Sequence, residues 1–261
     1  MKVFFAPDYP DKEFYSLAAI FHHLDYLVTE SPDDHFDFAM LWQDSTHVEV
    51  PPILQEVARY KPVLNLHCTD ISKNRVEKAF RSIFGYGSFI DPTAYYGQCI
   101  EKTDENARGG ALIDCPIASP RDGFVYQQLI DSGHDGVQIE YRTPVILGTI
   151  PIVNIARSDL PQGPLEDRQW YPPTPTAVAG IYTEKECELI LELCRDMGLD
   201  FGELDILRSR ADGKLYILDV NKTPAGYGLR NRFQWRPQAK RKSLAILAEC
   251  LDRQIRLQLG S

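Results

Sequence analysis

Hydrophobic positions in the chain follow two periods, and the switches between them mark the elements. Lys2–Phe5 opens as a short apolar strand. Residues 14–27 place Leu17, Ile20, Phe21, Leu24 and Leu27 on one face, which predicts a helix. Phe36–Leu41 reads as a buried strand, Pro51-Pro52 opens a short helix to about Tyr60, and Val63–Leu66 is another strand. Strand–helix–strand–helix–strand over residues 1–66 predicts a small parallel α/β domain.

The next helix is bounded by its own chemistry. Ser72 is a cap, Val76, Ala79, Phe80, Ile83 and Phe84 form the apolar stripe, and Gly85 ends it. Strands follow at residues 98–102 and 124–130, and residues 137–147 with 150–156 read as an antiparallel pair. Residues 158–175 hold five prolines without periodicity and are expected to be a long loop. Thr183-Glu184-Lys185-Glu186 is a capping box opening a helix with Ile190, Leu193, Cys194 and Met197 inward. Two strands, residues 203–207 and 215–220, are joined by a turn at 211–214, and residues 239–257 form a last amphipathic helix. The class is α/β (α+β), with expected domains at 1–66, 67–130 and 131–261.

Composition narrows the function. The chain has 261 residues, 44% hydrophobic and 25% charged, with a net charge of −9, which excludes a disordered chain and disfavours a nucleic-acid or membrane-surface binder. The charge is uneven: residues 1–60 carry three basic and eleven acidic side chains, and residues 221–261 carry nine basic and two acidic ones. The opening residues lack a signal-peptide apolar core, and no window is long and apolar enough for a membrane helix. Six cysteines without a CxxC pair read as reduced core thiols, and the expected compartment is the cytoplasm.

Many familiar sites are missing. There is no GxxxxGK[ST] loop, and Gly85 with Gly87 lacks the third glycine of a dinucleotide fingerprint. HExxH, EF-hand and GxSxG patterns are absent. His22-His23 sits in a helical pattern with no ligand spacing around it.

What is present is a set of lysines, glycines and carboxylates in order. Lys73 stands in the first turn of a helix. Lys102 ends a strand and is followed by Asn106-Ala107-Arg108-Gly109-Gly110, a loop whose backbone amides can approach phosphates. Asp219 and Asn221 are two apart on one strand and share a face, and Asp205 lies on the strand expected to pair with it. Three such oxygen donors suit a hard cation such as Mg²⁺, while a solvated polar hairpin face is the plain alternative.

These residues resemble the ATP-grasp superfamily over about residues 62–245. The most specific stretch is Met197 to Ile206 followed by Asp212 to Pro224, similar to that family's paired metal-binding strands. The resemblance implies an ATP-grasp fold of two α+β subdomains behind a shortened α/β domain. It implies ATP as nucleotide, with Lys73 and Lys102 on its phosphates beside Gly109 and Gly110. Gln127, Gln128, Leu129 and Ile130 then form the adenine hinge, and Arg142 is the arginine opening the next strand. Asp205, Asp219 and Asn221 would bind Mg²⁺, or Mn²⁺ in its place. Asp219 stands where ligases usually carry Glu, and Asp-x-Asn also occurs in the inositol-polyphosphate kinase branch. The reading is therefore a carboxylate–amine or carboxylate–thiol ligase with Lys102 and Arg142 catalytic. A sugar or cyclitol kinase and a non-catalytic ATP-binding module remain open.

The acceptor is expected to be a small anion. Residues 222–242 hold seven basic side chains and no acidic one, with Tyr227, Phe233 and Trp235 interleaved, a mix resembling a binding loop more than a core element. Arg142, Arg157, Lys222, Arg230 and Arg232 are the candidate acceptor-binding residues. Pairing of the basic segment with the acidic N-terminal segment, across a domain or homodimer interface, is the alternative.

Overall fold

A computed structural model of the chain describes residues 1–12, 14–106, 109–162, 164–227 and 234–260. Three sheets organise it. The first is wholly parallel, in the order β2-β1-β3-β4, with β1 at Lys2–Pro7, β2 at Leu27–Thr29, β3 at Phe38–Trp42 and β4 at Val63–Leu64. Helices α1 (Ser16–Leu24) and α2 (Pro52–Val57) join its strands. Buried on both sides, β3 reads as an unbroken apolar run, as expected of a covered parallel strand.

The helix expected over residues 14–27 is shorter than the apolar spacing implied. Asp25 turns left-handed at φ 55°, and Leu27 then pairs with Lys2 as an edge strand. The i, i+3, i+4 spacing ran on by coincidence into a strand of different period.

Helix α3 (Lys73–Phe84) has the expected cap: the Ser72 side chain accepts from the Arg75 amide at 3.3 Å, and Gly85 closes it left-handed. A three-stranded antiparallel sheet follows, ordered β6-β5-β7, from β5 (Gly97–Thr103), β6 (Gly110–Cys115) and β7 (Phe124–Gln128).

The third sheet runs β11-β10-β9-β12-β13, with the short β8 (Gly133–His134) also on β9. Its strands are β9 (Val137–Ile146), β10 (Val153–Asp159), β11 (Trp170–Thr176), β12 (Phe201–Arg208) and β13 (Leu215–Asn221). β11 replaces the expected loop. It lies at the sheet edge against β10, with an irregularity at Pro172-Pro173, so its prolines remove few ladder hydrogen bonds.

Helix α4 (Glu184–Met197) starts at the full capping box of Thr183 and Glu186. It ends at Gly198, φ 67°, where a Cβ would lie 2.6 Å from the His67 carbonyl carbon. α3 and α4 cover one face of the third sheet, burying Phe80, Ile190 and Leu193 against Leu204, Ile206, Ile217 and Val220. The last helix, α5 (Pro237–Leu259), returns to the first sheet, where Leu247, Leu251 and Ile255 pack with Leu17, Ile20 and Phe21. Asn65 links the sheets: left-handed at φ 57°, it accepts from the Asp200 and Phe201 amides at 2.8 and 2.9 Å. Among the described residues no helix is long and apolar enough to cross a membrane.

Candidate active site

Strand alternation builds the site on the uncovered face of the third sheet. Leu204, Ile206 and Val220 point into the α3–α4 core, so Glu203, Asp205, Asp219 and Asn221 point the other way. Register then sets them in two rows. Asp205 lies opposite Asp219, and Glu203 opposite Asn221. On its other side Asp205 lies opposite Arg142 of β9. Asp205 and Asp219 therefore stand side by side, with Asn221 two residues along the same face and Arg142 beside Asp205.

Arg142 is almost fully buried and held by three carboxylates. Its Nη1 is 2.6 Å from Asp205 Oδ1 and 3.2 Å from Glu140 Oε1. Its Nε and Nη2 both donate to Glu203 Oε1, at 2.9 and 2.5 Å. Burial disfavours the guanidinium charge, but Asp205, Glu203 and Glu140 together keep its pKa well above the ordinary arginine value. Burial also pushes the Asp205 carboxyl up, to about 8, against the pull of Arg142 and with help from Glu140, Asp219 and Glu203. Glu140 and Glu203 were not singled out in the sequence. Their signal was there, since each lies two residues from a chosen site residue, Arg142 and Asp205, and so shares its face.

Two lysines reach the same carboxylates from other elements. Lys73 Nζ is 3.4 Å from Asp219 Oδ1 and donates to the Glu105 carbonyl at 2.6 Å. Lys102 Nζ is 3.8 Å from Asp219 Oδ2. Burial lowers the Lys102 pKa, while Asp219 works to restore it and Lys73 opposes it. Asp104, just after β5, meets the α3 N-terminus: it accepts from the Lys73 amide at 3.1 Å and the Asn74 amide at 2.8 Å. Gly110 pairs with Lys102, and a Cβ there would lie 2.8 Å from Lys102 Cγ and 2.9 Å from the Glu101 carbonyl oxygen. Only glycine leaves the Lys102 stem its place.

Lys102, Glu140, Arg142, Asp205, Asp219 and Asn221 line a cleft of about 640 Å³ between the three-stranded sheet and the third sheet, and Lys73 lies buried behind Asp219. Gln127, Gln128, Leu129 and Ile130 lie along one wall with Gly109 and Gly110, and Leu207 and Leu218 along the other. The Ser88 carbonyl accepts from the Gln128 amide at 2.9 Å, which pins that wall. Glu77 fixes Ser88 in turn, accepting from its amide at 3.0 Å and its hydroxyl at 2.8 Å. The far end of the cleft is formed by Phe14, Asp44, Thr223, Ala225 and Gly226. Asp44 accepts hydrogen bonds there from Tyr15 at 2.8 Å and Thr223 at 2.9 Å. Arg168 and Trp170, from the segment read as a loop, also line it.

The remaining candidates are not gathered here. Arg157 lines a separate hollow of about 470 Å³ with Tyr171 and Arg236. Lys222 is buried and does not line the cleft. Among the described residues its ammonium has no hydrogen-bond partner, and burial lowers its pKa. Arg230, Arg232 and Phe233 lie outside the described residues. Tyr227 and Trp235, expected in a binding loop, are structural instead. Tyr227 is 2% exposed, meets Ser243, accepts from Asn154 at 2.6 Å, and stacks on Trp235 at 5.0 Å between centroids. A long basic–aromatic run carries no sign of which members are covered by a returning helix.

Solved structures share this arrangement of sheets. The ATP-grasp ligase PsnB complexed with minimal precursor superposes with a TM-score of 0.58 at 14% identity, covering 97% of this chain and 98% of that one. D-alanine–D-alanine ligase from Bacillus anthracis gives 0.59 at 12% identity, covering 99% and 97%. The chain has the ATP-grasp fold. The macrocyclase MdnC from Microcystis aeruginosa MRC, bound with precursor peptide MdnA, gives 0.51 at 12% identity, covering 97% of this chain and 100% of that one. No protein-family model and no curated protein matches the sequence.

Proposed function

We propose that this chain is a Mg²⁺- and ATP-dependent ligase that activates a carboxylate as an acyl phosphate and joins it to an amine or thiol. The observation that carries the reading is the meeting of Lys102, Asp205 and Asp219 in one cleft, with Lys73 buried against Asp219, each group from a different element. Support for nucleotide and metal comes from relatives of the same fold, among them PsnB complexed with Mg and ADP and the B. anthracis ligase complexed with ATP.

The donor set fits a hard divalent cation: two carboxylates and an amide oxygen in facing register. Asp205, Asp219 and Asn221 would hold Mg²⁺, which when bound would supply positive charge beside the nucleotide phosphates. Lys73 and Lys102 hold those phosphates as point charges. The base lies along residues 127–130, between apolar walls that include Leu207 and Leu218. Arg142 orients the transferring phosphoryl group by hydrogen bonding. Its charge is already balanced by Glu140, Glu203 and Asp205, so it acts as a fixed donor more than as a free cation. Residues 103–110 would exclude water from the acyl phosphate. No general base pair is required, which fits a cleft with no Cys, His or Ser among its described lining residues.

Asp44 and Arg168, which both line the cleft, suit an acceptor bearing both amine and carboxylate, such as an amino acid or peptide. The test is a panel of acids and amines assayed for inorganic phosphate release from ATP. Release that requires both components supports the ligase. Phosphate retained covalently on a hydroxyl acceptor overturns it in favour of a kinase.

A further inference from the structure

All six cysteines are free thiols, and two of them meet. Cys99 lies on β5 opposite Ile113, and Cys115 ends β6 opposite Gly97, so the two are diagonal neighbours across the strand pair. Their sulfurs are 2.9 Å apart. A bonded pair sits about 2.05 Å apart, so little movement separates the thiols from a disulfide. Cys99 is 0% exposed and Cys115 9%. With Tyr126 they are the buried members of the small cluster beneath the three-stranded sheet, against which Ile90, Tyr95 and Phe124 pack. The other described clusters bury far more side chains. A cross-link here falls where the apolar core is thinnest, the setting in which disulfides add most to what burial supplies.

We propose that Cys99 and Cys115 are a redox modification site, a dithiol that closes to an intramolecular disulfide on reaction with a low-molecular-weight disulfide. Cys115 is the less deeply buried and reacts first. Its thiolate attacks one sulfur of the reagent, forms a mixed disulfide and releases one thiolate. Cys99 then gives its proton to solvent and attacks the Cys115 sulfur, releasing the second thiolate. The protein dithiol and one reagent disulfide become one protein disulfide and two thiols, so the two electrons lost by the cysteines reduce the reagent. Burial, and the adjacent Cys115, push the Cys99 thiol up to about 12. The second step is therefore slow at neutral pH and accelerates as pH rises. The bond ties the end of the β5–β6 hairpin remote from the Lys102–Gly110 pair. It thus restrains the strand that carries Lys102 without touching the cleft.

The site is tested on the native full chain, incubated with excess oxidised glutathione and quenched with N-ethylmaleimide. The expected result is a mass loss of about 2 Da, reversed by dithiothreitol. Tryptic peptide 82–102, whose sole cysteine is Cys99, should then be linked to peptide 109–121, whose sole cysteine is Cys115. Under the same treatment Cys99→Ser should hold a glutathione adduct on Cys115. Native protein that shows no 82–102/109–121 link overturns the proposal, as does linkage of another pair, such as Cys68 with Cys194, in its place. The readout requires no nucleotide or acceptor, so it stands or falls apart from the ligase reading.

Discussion

Asp205 and Asp219 face each other across β12 and β13, and each is engaged by a cation from outside that hairpin. Arg142 holds Asp205 at 2.6 Å, while Lys73 and Lys102 lie 3.4 and 3.8 Å from Asp219. In this state Asp219, proposed for the metal, pairs with the lysines proposed for the phosphates, and Asp205 pairs with Arg142. Binding of Mg²⁺ with nucleotide would exchange those partners: the lysines turn to phosphate and the carboxylates to the cation.

Asp219→Ala should therefore abolish magnesium-dependent binding of a non-hydrolysable ATP analogue in titration calorimetry. Far-UV circular dichroism should be unchanged, because Asp219 is on the open face of the sheet. Undiminished magnesium-dependent affinity would refute the metal assignment.

Lys102→Ala should weaken nucleotide binding at least tenfold, about 1.4 kcal/mol. In a working assay it should raise the ATP KM and lower kcat. A change confined to acceptor kinetics means that Lys102 serves the other substrate.

Arg142→Leu leaves Glu140, Glu203 and Asp205 buried without their counter-charge. The expected loss is ~3–5 kcal/mol of folding stability, read as a lower urea midpoint. Adding Glu203→Gln to that variant should recover part of the loss, since it removes one of the stranded charges. A double variant less stable than Arg142→Leu argues against the carboxylate cage.

Magnesium-dependent nucleotide affinity should rise with pH. Burial pushes the Asp205 carboxyl up to about 8. The cation needs the ionised form, so a proton must leave below that value and affinity should level off above it. Calorimetry at about pH 6.5 and about pH 9 checks this. Equal affinity at both shows Asp205 ionised throughout.

The α4 cap gives a second pH dependence, in stability. Burial opposes ionisation of Glu186, but Arg208 at 2.6 Å and the Thr183 amide at 2.8 Å hold its carboxyl below the ordinary value. A depressed carboxyl contributes stability that is present above its unfolded pKa and lost as pH falls through the folded one. Glu186→Gln should thus melt earlier than wild type at neutral pH, and the gap should close in acid. A gap that persists in acid assigns the effect to packing.

Local signals carried much of this fold and site. Ser72, Gly85 and the Thr183/Glu186 box bound their helices, and the 211–214 turn pairs the strands of Asp205 and Asp219. These succeed because caps and tight turns are satisfied by residues within a few positions of each other. The same locality explains the errors. The spacing of Leu17 to Leu27 ran through a helix into a strand, and the prolines of 158–175 hid β11, because nothing local marks a sheet edge.

By itself the chain of residues determined the order of its elements, the period of each strand and so which side chains share a face: Asp219 with Asn221, Glu140 with Arg142, Glu203 with Asp205. Only the tertiary structure decided which strands stand side by side. Register across β9, β12 and β13 put Arg142 against Asp205 and Asp205 against Asp219. The return of α5 buried Tyr227, and the irregularity between β10 and β11 accompanies the placement of Arg157 in a different hollow. The physical reason is range. A strand's alternation is a property of its own backbone, whereas a neighbour's register depends on cores and hydrogen bonds closed by residues some sixty positions away, as Arg142 and Glu203 are.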